Sequence, residues 1–313
     1  MMPQQRKIVG IDVGLRALEV RVLGQAKSWS VPNDAKGWER LARLWSSDQV
    51  VVGIEPSGGY EMGVITALVA AGVEVRWAEP KRVRALAMAL GAPAKTDAID
   101  TEMIARYIEA SGGRPVNLDP RRQALRELLA ARRAALETAD RLQAQARMLS
   151  PGEPKAALER LAAQADAEAA ALTTQLVQSM KDDEQLSSPW RLLQSAPGVG
   201  PLVAAELLAE MPELGQVSAK AIAKLAGLAP FIRQSGAWVG RATCSGGRPR
   251  PRRALYLAAM ASLRAKHGLR PVYERLIANG KPRMVALVAC MRRLLVALNA
   301  MLTNQTPWQT CNP

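Results

Sequence analysis

The sequence predicts an α/β N-terminal domain, a long helical hairpin or coiled coil, and a mostly α C-terminal domain. Three observations support this. Strand-like runs alternate with helical ones up to about residue 119, then an Ala/Leu/Arg/Glu/Gln-rich stretch with helical spacing takes over. Beyond it, from Trp190 to Leu302, short helical segments are separated by Gly- and Pro-containing turns. The expected domains are residues 1–119, 120–187 and 188–313.

The elements follow in order. Residues 7–23 read as two strands, an apolar run ending near Asp12 and then, past Gly14, the alternating LEVRVL. DAKGWERLARLWSS has helical spacing. VVGIEPSG is a third strand, closing at Glu55 and stopped by Pro56 and two glycines. MGVITALVAAG is an apolar helix with a Gly stop, and VEVRWAEP is a fourth strand. Alternating strands and helices suggest a sheet with helices packed on it. In the hairpin, Leu125, Leu129, Leu136 and Leu142 are spaced for one helix face. SPGEP breaks the pattern, and Leu158, Leu161, Ala165, Leu172 and Leu176 resume it. A pair of long helices of this kind suits association with a second chain.

Composition narrows the function. The 313 residues carry a net charge of +14, with 42 Lys/Arg against 28 Asp/Glu. From Phe231 to Pro313 there are fourteen Lys/Arg and one acid, Glu274, so a balance of +13 belongs to the C-terminal part. Its densest cluster is Arg248, Arg250, Arg252 and Arg253. Such an excess calls for a polyanion, either nucleic acid or an acidic membrane surface. Apolar stretches interrupted by charge well short of about 20 residues argue against a membrane span. A single histidine, His267, argues against His-based zinc or triad chemistry, and it reads as a surface or phosphate contact. Cys244, Cys290 and Cys311 are too far apart for a metal knuckle and suit a reducing cytosol. MMPQQRKIVG has no apolar targeting run, so a cytoplasmic chain is expected.

Four acids stand out by position. Asp12 and Glu55 close apolar strand runs, and strand-end carboxylates of an α/β sheet point into the crevice where ligands bind. Asp97 and Asp100, three apart at the start of a predicted helix, share a face. Each alone reads equally well as a turn former or a helix-start acid. Together, without histidine, they suit Mg²⁺ or Mn²⁺. Such ions can activate an attacking oxygen and offset charge on a phosphodiester. In SAPGVGPLVAAELL, Gly198 and Gly200 precede a helix, and the turn reads either as a helix-hairpin-helix-like phosphate contact or as an ordinary Gly turn. Tyr60, near Glu55, reads as packing, with ordering of the site or a nucleic-acid contact as the alternatives.

GIDVG, GIEPSGGY and KTDAIDTEMIARY, followed by SAPGVGPLVAAELLAEM, KLAGLAPFIRQSG and GGRPRPRRALYLAAM, together resemble the IS one-ten family of insertion-sequence transposases, which includes the Piv and MooV DNA invertases. The resemblance runs along essentially the whole chain. It implies an RNase H-like (RuvC-like) DEDD domain at the N-terminus, with Asp12, Glu55, Asp97 and Asp100 as its metal ligands. It also implies a nucleophilic serine in the C-terminal domain. Ser235 in GLAPFIRQSG is the best match, and Ser245 in TCSGGR is a rival ten residues on. The resemblance further implies donor and target DNA as substrates and a structured non-coding bridge RNA as guide. A homodimer or tetramer assembled through the hairpin, in a bacterial, nucleoid-associated setting, is expected. Arg241, Arg248, Arg250, Arg252 and Arg253 are the expected nucleic-acid contacts.

The main alternative is a RuvC-like, metal-dependent, structure-specific nuclease in which the serine is not catalytic. A sugar-kinase-like ATPase would also open on GIDVG but lacks a second phosphate-binding Gly loop and leaves the basic third unexplained. A non-enzymatic nucleic-acid binder is disfavoured by the complete acid set.

Overall fold

The computed structural model describes residues 6–46, 49–91, 97–116, 118–231, 234–235, 238–239 and 243–309. The side chains of 97–99, 234–235 and 238–239 lie outside that description. The chain forms two compact units, Met1–Leu118 and Asp119–Pro313.

The first unit is built on β1 (Lys7–Val13), β2 (Ala17–Val22), β3 (Trp29–Pro32), β4 (Val50–Ile54), β5 (Glu74–Trp77) and β6 (Arg114–Pro115), in the spatial order β3-β2-β1-β4-β5-β6. The first three strands form an antiparallel meander, β4 and β5 run parallel to β1, and β6 closes the edge antiparallel. This is the RNase H-like arrangement. The parallel pairs need crossovers, supplied by α1 (Ala35–Trp45) between β3 and β4 and by α2 (Met62–Ala70) between β4 and β5. Asp34 caps α1, its carboxylate accepting from Gly37 N at 2.9 Å. α3 (Pro80–Ala89) and α4 (Asp97–Ser111) follow β5.

Strand alternation gives the sheet two buried faces. Val9, Ile11, Val52, Ile54 and Val75 meet Leu41 and Trp45 of α1 and Ile65 and Leu68 of α2. The opposite face has Ile8 and Val51 against Val83 and Ala87 of α3 and Ile104 and Ile108 of α4. The four expected strands are present. β3, α3 and β6 were not anticipated: β3 has only four residues and α3 starts on a proline within a basic, Ala-rich run.

The second unit is helical. α5 (Pro120–Ala146) and α6 (Glu153–Asp182) form the hairpin, followed by α7 (Glu184–Gln194), α8 (Pro201–Glu210) and α9 (Ala219–Leu225). Two small two-stranded ribbons come next, β7 (Pro230–Phe231) with β10 (Thr243–Cys244), and β8 (Gln234–Ser235) with β9 (Trp238–Val239). α10 (Pro249–Ser262), α11 (Arg270–Ala278) and α12 (Arg283–Asn304) complete it.

The hairpin contacts differ from the expected leucine stripe. The buried positions are Leu125, Leu129, Ala139 and Ala146 on α5, and Ala162, Ala169, Leu176 and Met180 on α6. Ala139/Ala146 and Ala162/Ala169/Leu176 repeat every seven residues, and alanine lets the two backbones approach closely. Leu136, Leu142, Leu158 and Leu172 flank this seam half-buried, whereas Leu161 is 50% exposed. At the base, Leu125, Leu129, Leu176 and Met180 join the core of the C-terminal helices, so residues 120–187 and 188–313 share one core.

α12 corrects the expectation that every apolar stretch falls well short of membrane length. Its 22 residues are long and apolar enough to cross a bilayer by length and composition. Eight of them, including Leu294, Leu295 and Leu298, are instead buried in this core, which accounts for the apolar composition. Arg292 and Arg293 interrupt it midway.

Candidate active site

β1 and β4 bring the first two acids together. The parallel register pairs Gly10 with Gly53 and Ile11 with Ile54. Asp12 and Glu55 are the next residues along each chain, so they emerge side by side on strands about 4.8 Å apart. Both are half-buried, and both hold interactions inside the protein. By alternation they share the face of Gly10 and Gly53, which α4 covers.

The glycines explain why α4 lies so close. A Cβ at Gly10 would overlap the Thr101 carbonyl oxygen and stand 2.9 Å from Ala105 N. A Cβ at Gly53 would overlap Ile108 Cγ1 and stand 3.1 Å from Ile104 Cγ2. At Gly10 helix backbone thus rests on bare strand backbone, and at Gly53 isoleucine side chains do, with Thr101 and Ile104 fully buried. Asp100 sits one turn before Ile104, on the sheet-facing stripe, and is half-buried. Asp97 is the first residue of α4 and its side chain lies outside the described residues. Glu102 leaves the stripe to pair with Arg21 of β2 at 3.0 Å, which fixes the helix across the meander.

Two residues that sequence reasoning missed organise the loops carrying these acids. Asn33 donates through Nδ2 to the Gly14 carbonyl (2.9 Å) and to the Tyr60 carbonyl (3.1 Å), while its Oδ1 accepts from Trp38 Nε1 (2.7 Å). It therefore ties the loop after β1 to the loop after β4. Glu61, only 5% exposed, accepts from Ser57 N (3.1 Å), Ser57 Oγ (2.7 Å) and Gly59 N (2.8 Å). Gly58 and Gly59 take φ of +86° and +120° in that turn, which favours glycine there. In the sequence, Asn33 looks like a turn residue and Glu61 like a helix-start acid. Tyr60 contributes its carbonyl, and its ring is 51% exposed.

An all-oxygen donor set on adjacent strand ends fits a hard divalent cation. Among the described residues no group of three or more His, Cys, Asp or Glu is close enough to hold a metal ion. Asp12 and Glu55 stand side by side at their strand ends and Asp100 lies on α4, while the side chain of Asp97 is outside the described residues.

In the second unit, the backbone of Ser235 pairs with Trp238 across the β8–β9 ribbon, and its side chain lies outside the described residues. Ser245 is exposed. Arg241 lies outside the described residues. The structure gives the other expected contacts partners within the protein or leaves them open. Gly198 has φ +89°, and a Cβ there would overlap Ala258 O and stand 2.5 Å from Ser262 N, so its requirement is the approach of α10. Gly200, by contrast, faces open space at the start of α8.

Three of the four clustered arginines are engaged internally. Arg248 makes a two-pronged pair with Glu213 (2.7 and 2.6 Å) and donates to Glu210 O (2.8 Å). Arg250 pairs with Glu210 at 2.9 Å, and Arg252 donates to Gly246 O at 2.7 Å. Arg122 donates to Leu208 O, and Arg126 to Ala209 O at 3.0 Å. With Arg248, these guanidiniums serve the carbonyls left open at the end of α8, where the helix dipole favours cations. Burial lowers the pKa of Arg126, partly countered by Glu210. Arg253 is exposed, as is Arg250 despite its pairing with Glu210.

Residues 9–149 match a DEDD transposase family of the IS110 type, and residues 190–274 match the transposase IS116/IS110/IS902 family. The sequence is 35% identical over 124 residues, 39% of this chain, to the insertion element IS110 uncharacterized 43.6 kDa protein of Streptomyces coelicolor. It is 38% identical over 120 residues, 36% of this chain, to the insertion element IS900 uncharacterized 42 kDa protein of Mycobacterium paratuberculosis. The chain spans 31% and 29% of the lengths of those relatives. Among solved structures, T. thermophilus RuvC in complex with a Holliday junction substrate is similar at TM-score 0.29 and 17% identity, over 36% of this chain and all of that one.

Proposed function

Because this chain belongs to the IS116/IS110/IS902 family of transposases, we propose that it cleaves and rejoins DNA strands during movement of an insertion sequence. The observation that supports this most is the placement of Asp12 and Glu55 on neighbouring strand ends under the acidic start of α4, within the DEDD-matched segment.

Asp12, Glu55, Asp97 and Asp100 would hold Mg²⁺ or Mn²⁺. When bound, such an ion offsets phosphate charge and favours the attacking oxygen. The protein's own share is to hold these carboxylates in place, with Asn33 and Glu61 bracing the loops on which two of them stand.

Ser235 is the proposed nucleophile. Its Oγ attacks the phosphorus, a P–Oγ bond forms, and the bond from phosphorus to the departing strand's oxygen breaks. The hydroxyl proton goes to solvent and the departing oxygen takes one up. Rejoining reverses this: a strand hydroxyl attacks, P–Oγ breaks, and the phosphodiester is restored without ATP. Donor and target DNA, a structured guide RNA, and a homodimer or tetramer assembled through the hairpin complete the reading, with base pairing supplying specificity and the protein reading backbone and shape.

The test is purification from a host carrying the complete element, followed by a search for covalent protein–DNA adducts and sequencing of co-purified RNA. Adducts present in the wild type and absent in Ser235→Ala support the serine role. Adducts that persist in that variant move the role to Ser245 or to a water-using nuclease. Absence of a specific RNA removes guidance.

A further inference from the structure

We propose that residues 264–283, comprising the α10–α11 loop, α11 and the α11–α12 turn, form the face of the second unit that holds the phosphate backbone of duplex DNA. This rests on the strand-transfer reading for the choice of DNA.

The charge balance leads here. The C-terminal part carries +13, yet Arg248, Arg250 and Arg252 of its densest cluster are engaged with Glu213, Glu210 and backbone carbonyls. A guanidinium held by a carboxylate has little left for a phosphate. Arg292 and Arg293 are half-buried in α12. Apart from exposed Arg253, the remaining basic residues described in this part fall in one short segment.

Arg264, Lys266, Arg270, Arg275, Lys281 and Arg283 are all exposed, as is His267. Glu274 is the one acid among them, and it is taken up by Arg270 at 2.8 Å. Among the described residues, Arg264, Lys266, Arg275, Lys281 and Arg283 have no carboxylate partner. Packing fixes how α11 presents this charge. Val272 and Tyr273 lie against the core, and Leu276 and Ile277 are half-buried beside them, which turns Arg270 and Arg275 outward. No acid stands in the first turn of α11, so its dipole adds to the positive field. An exposed, acid-poor strip joined by one helix fits a repeating polyanion better than a small ligand, because no cavity encloses it.

Phosphate contacts carry a measurable signature: each neutralised phosphate contributes about −0.9 to the slope of log affinity against log salt on duplex DNA. The experiment compares the wild type with the fourfold variant Lys266→Ala/Arg275→Ala/Lys281→Ala/Arg283→Ala. Fluorescence anisotropy is read on a 30-base-pair duplex and on a single-stranded RNA of equal length, between 50 and 300 mM NaCl. The expected result is a duplex salt slope shallower by about 3 to 4 and affinity at 100 mM lower by about a hundredfold, with unchanged circular dichroism. An unchanged slope in a folded variant overturns the proposal, and so does a loss confined to RNA. Wild-type protein that binds duplex with the steep slope, yet shows no metal-dependent strand transfer from the complete element, overturns the strand-transfer reading and leaves this surface standing.

Discussion

Gly10 lies directly beneath Thr101: a methyl group on the strand residue would overlap the carbonyl oxygen of the helix residue. That contact sets how deep α4 sits on β1, and so where Asp100 stands relative to Asp12. At Gly10 backbone meets backbone, whereas at Gly53 backbone meets an isoleucine side chain.

Gly10→Ala is therefore expected to destabilise the first unit by about 3 kcal/mol, because neither backbone can yield. Gly53→Ala should cost about 1 to 2 kcal/mol, since Ile108 can change rotamer. Chemical denaturation of the two variants checks the order, and equal costs would count against a rigid α4 contact.

Asn33→Ala removes three hydrogen bonds that join the Gly14 and Tyr60 loops to Trp38. The expected loss is about 1 to 2 kcal/mol of stability. Faster proteolysis of the 55–61 loop should accompany it, together with a higher Mn²⁺ concentration for half-maximal activity. A stability loss with an unchanged metal requirement would limit Asn33 to a structural role.

Arg248→Ala should destabilise the second unit by about 2 to 4 kcal/mol, because it removes the two-pronged pair with Glu213 and the bond to Glu210 O at the end of α8. Arg253→Ala should fall within about 0.5 kcal/mol. The two arginines are indistinguishable in the sequence cluster, so thermal unfolding of the pair separates the internal from the external role.

Glu206, paired with Arg133 at 3.1 Å, has its pKa raised chiefly by burial, with Arg133 opposing. In the window between the ordinary carboxyl value and the raised one, the folded protein retains a proton that the unfolded chain has released. Stability from this group is thus full below the ordinary value and falls as pH rises through the folded value. Unfolding free energies of wild type and Glu206→Gln between pH 4 and 8 should show the wild-type advantage shrinking as pH rises. An advantage that grows with pH would reverse the assignment.

Much of the first unit was legible because its strands are apolar runs bounded by glycine and proline, and because Asp12 and Glu55 close such runs. The hairpin was legible as two helices, but its seam was not. Leucine spacing suggested a stripe through Leu161, whereas the contact is made by Ala162 and Ala169, which the sequence does not set apart from the many other alanines of α6. The arginine cluster misled for a related reason. Sequence counts charge but cannot show that Glu210 and Glu213, some forty residues earlier, meet Arg250 and Arg248. Asn33 and Glu61 act mostly through main-chain carbonyls and amides, which leave no pattern in residue types.

The most direct measurement is excision of the complete element from a reporter plasmid, with wild type, Asp12→Asn and Asp100→Asn at equal protein levels. Asn keeps the size of each side chain and removes its charge. The expected result is loss of excision by about a hundredfold or more in both variants, with duplex affinity retained. Wild-type excision in either folded variant would contradict the carboxylate site.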